Sequence, residues 1–265
     1  MPELPDLEVI GEFLRPRLIG ERVESASLPR PIVFRDLSGR GIDALLGRRL
    51  TALWRRGKFL VFEFEDAPLL AVNPMLAGQL YYVQPATRKL ARTYLILGWS
   101  DGRQLRYVDS KAMGKVYLAD RLEDVPTIAE TGPEALSDEL TLDAFRERLR
   151  RHPGEIKGIL VNHRFVAGIG NAYADEILFR ARIYPFRKRA SLSPAEIEAL
   201  YAAMRDVLAE AIDVLRERMG EDIQVKLRDF LAVHMHGGEP CPRCGTQISE
   251  ISANQRITNF CRTCQ

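Results

Sequence analysis

Four cysteines and one proline are the residues of this chain whose type and spacing speak most directly of chemistry. The cysteines fall as Cys241-Pro-Arg-Cys244 and, after 16 intervening residues, Cys261-Arg-Thr-Cys264. Each C-x2-C pair sets two thiolates on one tight turn, and two such turns facing each other across a β-hairpin complete a tetrahedron suited to zinc. The intervening segment fits a hairpin: Ile248 and Ile251 favour strands, and Ala253-Asn254-Gln255 can supply the turn. Four thiolates leave no position open for water, so one zinc ion is expected to hold the fold without taking part in a reaction. A disulfide framework would spread its cysteines along the chain, whereas the first 240 residues hold none.

The proline is Pro2. An initiator Met before a small residue is normally removed, and removal would expose a secondary amine. Uncharged, such an amine attacks an electrophilic carbon and gives an iminium ion directly. Glu3 is adjacent and Asp6 is near, so a proton-transfer group is at hand. Alone, Pro-Glu is also an ordinary terminus.

Three further segments carry charge in suggestive places. Arg55-Arg56-Gly57-Lys58 borders a bulky apolar strand, as phosphate contacts and one inward lysine would, or as a solvated turn would. Val166-Ala167-Gly168-Ile169-Gly170-Asn171 sets two glycines before a helix, with Asn171 as its cap; backbone N–H groups there suit an anion such as a DNA phosphate, and also a plain interhelical turn. Arg256 and Asn254 lie near the tip of the zinc hairpin, where an arginine reaches a phosphate or a groove.

The elements that must hold these residues are legible in two kinds of periodicity. Residues 7–18 read as a helix containing Pro16. From about 20 to 120 the apolar runs are strand-length, as in RRLTALWRRGKFLVFEFED and TYLILGWSDGRQLRYVD, and suggest a β-sandwich or barrel. An acidic stretch with two prolines then reads as a linker. Helical patterns follow, beginning after Ser137 and ending in a long helix with Ser193 as N-cap, Pro194 at its first position, Glu196 completing a capping box, and Gly220 as its stop. The expected domains are 1–121, a linker at 122–136, 137–222, and 223–265 with the zinc ligands at 241–264.

The chain has 265 residues, is 46% hydrophobic and carries a net charge of +2, enough apolar matter for two small cores and only a mild basic bias. No run reaches the roughly 18 apolar residues of a membrane span, and the acidic start is unlike a signal peptide. A soluble, cytoplasmic protein is expected.

PELP at the start, RRGK-FL, GPEAL at 132–136, VAGIGNAYADEILFRARIYP and the GEPCPRCG to R-x-T-x-F-C-x-x-C-Q finger occur in that order over the whole chain. Together they resemble the Fpg/Nei family of bifunctional DNA glycosylases, which comprises formamidopyrimidine-DNA glycosylase and endonuclease VIII. The resemblance implies a two-domain α+β fold. Its N-terminal domain is a β-sandwich with an N-terminal helix; its C-terminal domain is a helix–two-turn–helix unit with a β-hairpin zinc finger. The implied partner is double-stranded DNA holding damaged bases or abasic sites, bound by a monomer in a bacterial-type cytoplasm. A damaged base is flipped into the cleft between domains; the Pro2 amine attacks the sugar C1′ and Glu3 shuttles protons. β- and δ-elimination then leave a one-nucleotide gap. Lys58 should contact the lesion's phosphate or sugar, Asn171 and Arg256 the flanking phosphates, and Lys157 matches a family lysine near the site.

Departures from the family pattern concern the lesion. Its void-filling loop commonly reads H-L-G-M-[ST]-G; here it is Asn73-Pro74-Met75-Leu76-Ala77-Gly78, so Asn73 replaces a phosphate-contacting histidine and Leu76 the intercalating methionine. The loop that reads the opposite base, commonly D-P-R-R-F-G, is Asp109-Ser110-Lys111-Ala112-Met113-Gly114; Ala112 lacks the arginine's hydrogen bonds to an orphan cytosine, while Met113 can still wedge between bases. The stretch from Gly220 to Pro240 is short for the loop that covers a flipped oxidised purine. These departures weaken a strict 8-oxoguanine-opposite-cytosine preference and leave formamidopyrimidines, oxidised pyrimidines, abasic sites and single-stranded lesions open. The alternatives are a non-catalytic damage binder of the same fold, against which Pro2, Glu3 and Lys58 argue, a zinc-ribbon factor, which leaves PELP unexplained, and an RNA binder, for which no aromatic stacking platform appears.

Overall fold

The computed structural model describes residues 1–253 and 256–265; Asn254, assigned above to the hairpin tip, and Gln255 lie outside them. The chain forms two compact units. One comprises Met1–Ala129 with Leu215–Lys226, the other Glu130–Val214 with Leu227–Gln265.

The first unit opens with helix α1, Leu4–Leu18. Pro16 lies inside its last turn and the helix runs two residues past it. Nine strands follow: β1 Val23–Ser27, β2 Phe34–Asp36, β3 Leu50–Arg56, β4 Phe59–Phe64, β5 Leu69–Asn73, β6 Gly78–Val83, β7 Thr93–Trp99, β8 Gln104–Asp109 and β9 Lys115–Ala119. They form a five-stranded sheet in the order β2-β9-β5-β4-β3 and a four-stranded sheet in the order β1-β7-β8-β6. All pairs are antiparallel except β2 with β9. Phe64 of β4 stacks on Trp99 of β7 with ring centroids 6.3 Å apart, so the sheets face each other as a sandwich. β4 is buried on both faces: Leu60, which alternation places on the same face as Phe64, meets Gly11 of α1, while Phe59 and Val61 on the opposite face lie with Val125 and Ile128. Arg15 fixes the helix there by donating from Nε to the Leu53 carbonyl at 2.9 Å.

The stretch expected to be a linker contributes core: Val125 and Ile128 are buried with Phe59, Val61, Ala71, Tyr117 and Ala119. Its acidic residues face out while these two close the open face of the sheet.

The second unit is helical. Its elements are α2 Leu142–Arg150, α3 Ile156–Leu160, α4 Asn171–Ala181 and α5 Pro194–Arg218, followed by the hairpin β10 Ser249–Ala253 and β11 Arg256–Phe260. The cap of α2 is Thr141, whose hydroxyl accepts from the Ala144 N–H, and not Ser137, which closes the preceding turn by accepting from Leu140 N–H. The capping box on α5 forms as the sequence predicts: Ser193 N–H donates to Glu196 Oε2 at 2.8 Å, and Glu196 N–H to Ser193 Oγ at 3.3 Å. Gly220 follows the helix at a φ of +53°, the left-handed conformation of a helix stop. Among the described residues, no helix is long and apolar enough to cross a membrane.

Candidate functional site

In the first unit, Pro2 and Glu3 are buried immediately before α1. Glu3 takes the N-cap position; its N–H donates to Asp6 Oδ2 at 2.8 Å and its carbonyl accepts from Leu7 N–H. The terminus is thus tied into the first helical turn, where the unpaired N–H groups carry partial positive charge. Pro2, Asp6 and Ile10 form one wall of a narrow cleft, and Pro74 and Gly78–Leu80 form the second. Ile223–Lys226 forms the third wall, which the sequence reading did not anticipate. That wall is bonded to the second: Gln79 Nε2 donates to the Gln224 carbonyl and Lys226 Nζ to the Leu76 carbonyl, both at 2.8 Å.

Lys58 occupies the two-residue turn between β3 and β4, which closes on the Arg56–Phe59 pair and is made possible by Gly57 at a φ of +56°. Its neighbour Arg55 is committed elsewhere. Arg55 Nε meets Glu8 Oε2 at 3.0 Å, and Glu8 Oε1 meets Arg15 Nη2 at 3.0 Å. Arg55 therefore ties the hairpin to α1 and is withdrawn from the row of phosphate-facing cations that the sequence suggested.

Leu76 and Met113 are both exposed, on the β5–β6 and β8–β9 loops. The loops meet at buried Tyr107, whose hydroxyl reaches the Pro74 carbonyl and Asp109 Oδ2. Burial and the Asp109 carboxylate push the Tyr107 phenol well above its usual range, so it stays a donor. Asp109 orders the second loop by accepting from the Lys111 and Gly114 N–H groups. Asn73 caps the first: its Oδ1 accepts from Met75 N–H at 3.0 Å.

In the second unit, the helix start and the zinc hairpin are one assembly. Gly170, with extended backbone, is the N-cap of α4; Asn171 is its first helical residue, so the expected capping by Asn171 does not occur. Its Nδ2 donates instead to the Ile257 carbonyl at 2.7 Å. Lys157 is also turned inward, with Nζ 2.6 Å from Asp175 Oδ1, 2.8 Å from Thr258 Oγ1 and 3.1 Å from the Ile257 carbonyl. Arg256 opens β11 and is exposed. Glu176 is buried and accepts from the Ala232, Val233 and His234 N–H groups, though burial still pushes its carboxyl upward.

The four cysteine Sγ atoms lie within 4.8 Å of one another. Cys241 and Cys264 are 3.9 Å apart, Cys244 and Cys261 3.5 Å. A tetrahedron with bonds of about 2.3 Å needs edges of roughly 3.8 Å, so the donor set fits one zinc with no fifth ligand. The ion's place is structural: Cys241 and Cys261 pack with Phe179, Val233 and Ile248 in a cluster too small to stand as a core alone.

Three family models match. One described as the formamidopyrimidine-DNA glycosylase N-terminal domain covers residues 1–116, one described as the formamidopyrimidine-DNA glycosylase H2TH domain covers 131–221, and one described as a zinc finger found in FPG and IleRS covers 238–265. A formamidopyrimidine-DNA glycosylase of Symbiobacterium thermophilum is 38% identical over 100% of this chain and 89% of its own, and one of Thermus thermophilus 35% over 100% and 98%. Among solved structures, the Lactococcus lactis Fpg complexed with DNA containing an abasic site superposes with a TM-score of 0.90 at 28% identity, covering 99% of each chain. The Fpg protein of Thermus thermophilus superposes at 0.86 with 32% identity, covering 100% of this chain and 98% of its own.

Proposed function

Because the chain belongs to the formamidopyrimidine-DNA glycosylase family, we propose that it is a base-excision-repair DNA glycosylase with AP-lyase activity, working on double-stranded DNA as a monomer. The observation that carries this is the position of Pro2 in a cleft wall beside buried Glu3, at the start of α1. Once Met1 is removed, the Pro2 nitrogen attacks C1′ of a flipped damaged nucleotide. The glycosidic electron pair leaves with the base, which takes up the proton that the Pro2 nitrogen loses. Glu3 gives a proton to the ring oxygen, the sugar opens, and an iminium joins Pro2 to C1′. Loss of a C2′ proton expels the 3′ phosphate, and a second elimination expels the 5′ phosphate. Water then hydrolyses the iminium and frees the enzyme.

Lys58 serves the phosphate or sugar at the lesion, Arg256 and Asn171 the flanking phosphates. Leu76 and Met113 fill the space that the flipped nucleotide leaves, from loops that Tyr107 joins. Asn73 acts through its loop. The inward bonds of Lys157 favour a positioning role over direct contact. Such work requires chromosomal DNA, and the bacterial cytoplasm is where we propose it occurs.

Borohydride trapping on abasic-site DNA with untagged protein tests the reading. A covalent adduct should form, and Pro2→Gly should largely lose it. Tight damage binding without any adduct would sink the catalytic reading and leave the non-catalytic binder.

A further inference from the structure

Asp175 lies on α4 with no exposed surface, one turn after Asn171 and on the same face. Its carboxylate meets Lys157 Nζ at 2.6 Å, His234 Nδ1 at 2.8 Å and, through Oδ2, the Asn259 N–H at 3.4 Å. Lys157 passes the contact on to Thr258 Oγ1 and the Ile257 carbonyl, and Asn171 donates to that same carbonyl. Asn259 is held once more, its Oδ1 accepting from Met235 N–H and its Nδ2 donating to Glu250 Oε2. Three consecutive residues of β11 are therefore fastened to the helices, and the residue before them is Arg256.

The zinc site cannot do this alone. Its ligands sit at the base of the hairpin, whereas Arg256 lies four residues up the strand from Phe260, about 13 Å at the rise of a β-strand. A hairpin fixed only at its base leaves its far end free to swing, and a one-residue slip of β11 would turn Arg256 to the opposite face. A buried ion pair is also a costly way to obtain stability, since apolar side chains of similar size serve as well. Its bonds converge on one strand instead.

We propose that Asp175, with Lys157 and His234, is the positioning device that sets the register of β11 against α4 and so holds Arg256 for a DNA phosphate, none of the three touching DNA. This rests on the reading of Arg256 as a phosphate contact.

The test is a double-mutant cycle on binding to abasic-analogue DNA, with untagged, zinc-assayed protein. Asp175→Asn should keep its zinc and weaken binding about tenfold, the size of coupling that contacting residues show. In an Arg256→Ala background the same change should have almost no further effect. At DNA concentrations well above the weakened Kd, borohydride trapping by Asp175→Asn should match wild type. If Asp175→Asn does not fold, the apolar pair Lys157→Met with Asp175→Leu takes its place and should bind weakly while melting as a folded, zinc-loaded protein. Full binding by either folded variant, or effects of Asp175→Asn and Arg256→Ala that simply add, overturns the proposal. If Arg256→Ala alone binds like wild type, the phosphate reading fails and this proposal with it. A weakened Arg256→Ala beside an unaffected Asp175→Asn defeats only the positioning role.

Discussion

The hydroxyl of Tyr107 occupies the space a side chain on Gly114 would need: a Cβ built there lies 1.7 Å from it. A Cβ on Gly78 would lie 2.2 Å from the same oxygen and 2.4 Å from the Pro74 carbonyl. One buried phenol thus holds together the loops carrying Leu76 and Met113, and both glycines are required by close approach.

Gly114→Ala and Gly78→Ala should each destabilise the protein by about 1–3 kcal/mol, the usual cost of overpacking. Adding Tyr107→Phe should recover part of the loss for Gly114→Ala, because the nearest clash is with the hydroxyl. It should recover little for Gly78→Ala, whose clash with the Pro74 backbone remains. Denaturant melts of the four variants decide the matter; unchanged melting of both single variants would refute the account.

Zinc removal is expected to abolish DNA binding and base excision although four thiolates leave the ion no position for a substrate. The ion closes a hairpin whose own apolar cluster is small, and that hairpin carries Arg256 and accepts from Asn171. The sandwich and helices have cores of their own, so circular dichroism should keep most of its signal after chelation. Zinc-free protein that still binds abasic-site DNA with wild-type affinity would break the linkage.

Much of this was legible in the sequence because the signals are local. Two C-x2-C turns, the Ser193–Glu196 capping box and the strand-length runs need no knowledge of what lies opposite them. What escaped depended on partners distant in the chain. Arg55 looked like a phosphate contact until Glu8 took it up, 47 positions away. Asn171 looked like a cap because asparagine suits that place, yet Gly170 fills it and the amide serves Ile257. Val125 and Ile128 were hidden in an acidic stretch whose average polarity masked two core residues. The Ile223–Lys226 wall had no sequence signature, since each of its bonds to the β5–β6 region ends on a backbone carbonyl, which any residue carries.

The α5 cap gives a pH prediction. Arg187 and the Ser193 N–H hold the Glu196 carboxyl down to about 2 from an ordinary value of 4.5. A carboxyl depressed in the folded state adds stability above its unfolded pKa and loses it as pH falls through the folded one. Glu196→Gln should therefore cost about 1 kcal/mol at pH 7, a modest figure because the side chain is about a third exposed. The difference from wild type should shrink between pH 4.5 and 2 and vanish below. A gap that keeps its full pH 7 size down to pH 2 would mean that shape, not charge, makes the cap.

What the β8–β9 loop lacks gives a prediction for the base opposite the lesion. Reading an orphan cytosine takes hydrogen-bond donors, and Ala112 has no side-chain donor while Met113 beside it is apolar. A good bidentate base contact is worth about 1–3 kcal/mol, or roughly 5- to 150-fold. Without it, excision of 8-oxoguanine should vary only a few-fold among the four opposite bases. Ala112→Arg should raise the rate opposite cytosine relative to adenine; Ala112 already adopts a φ of +54°, so the larger side chain meets no new backbone strain. Single-turnover excision of 8-oxoguanine and thymine glycol, and strand cleavage at an abasic site, each opposite all four bases, measure this. Strong cytosine selectivity in the unaltered protein would show that some other group reads the orphan base.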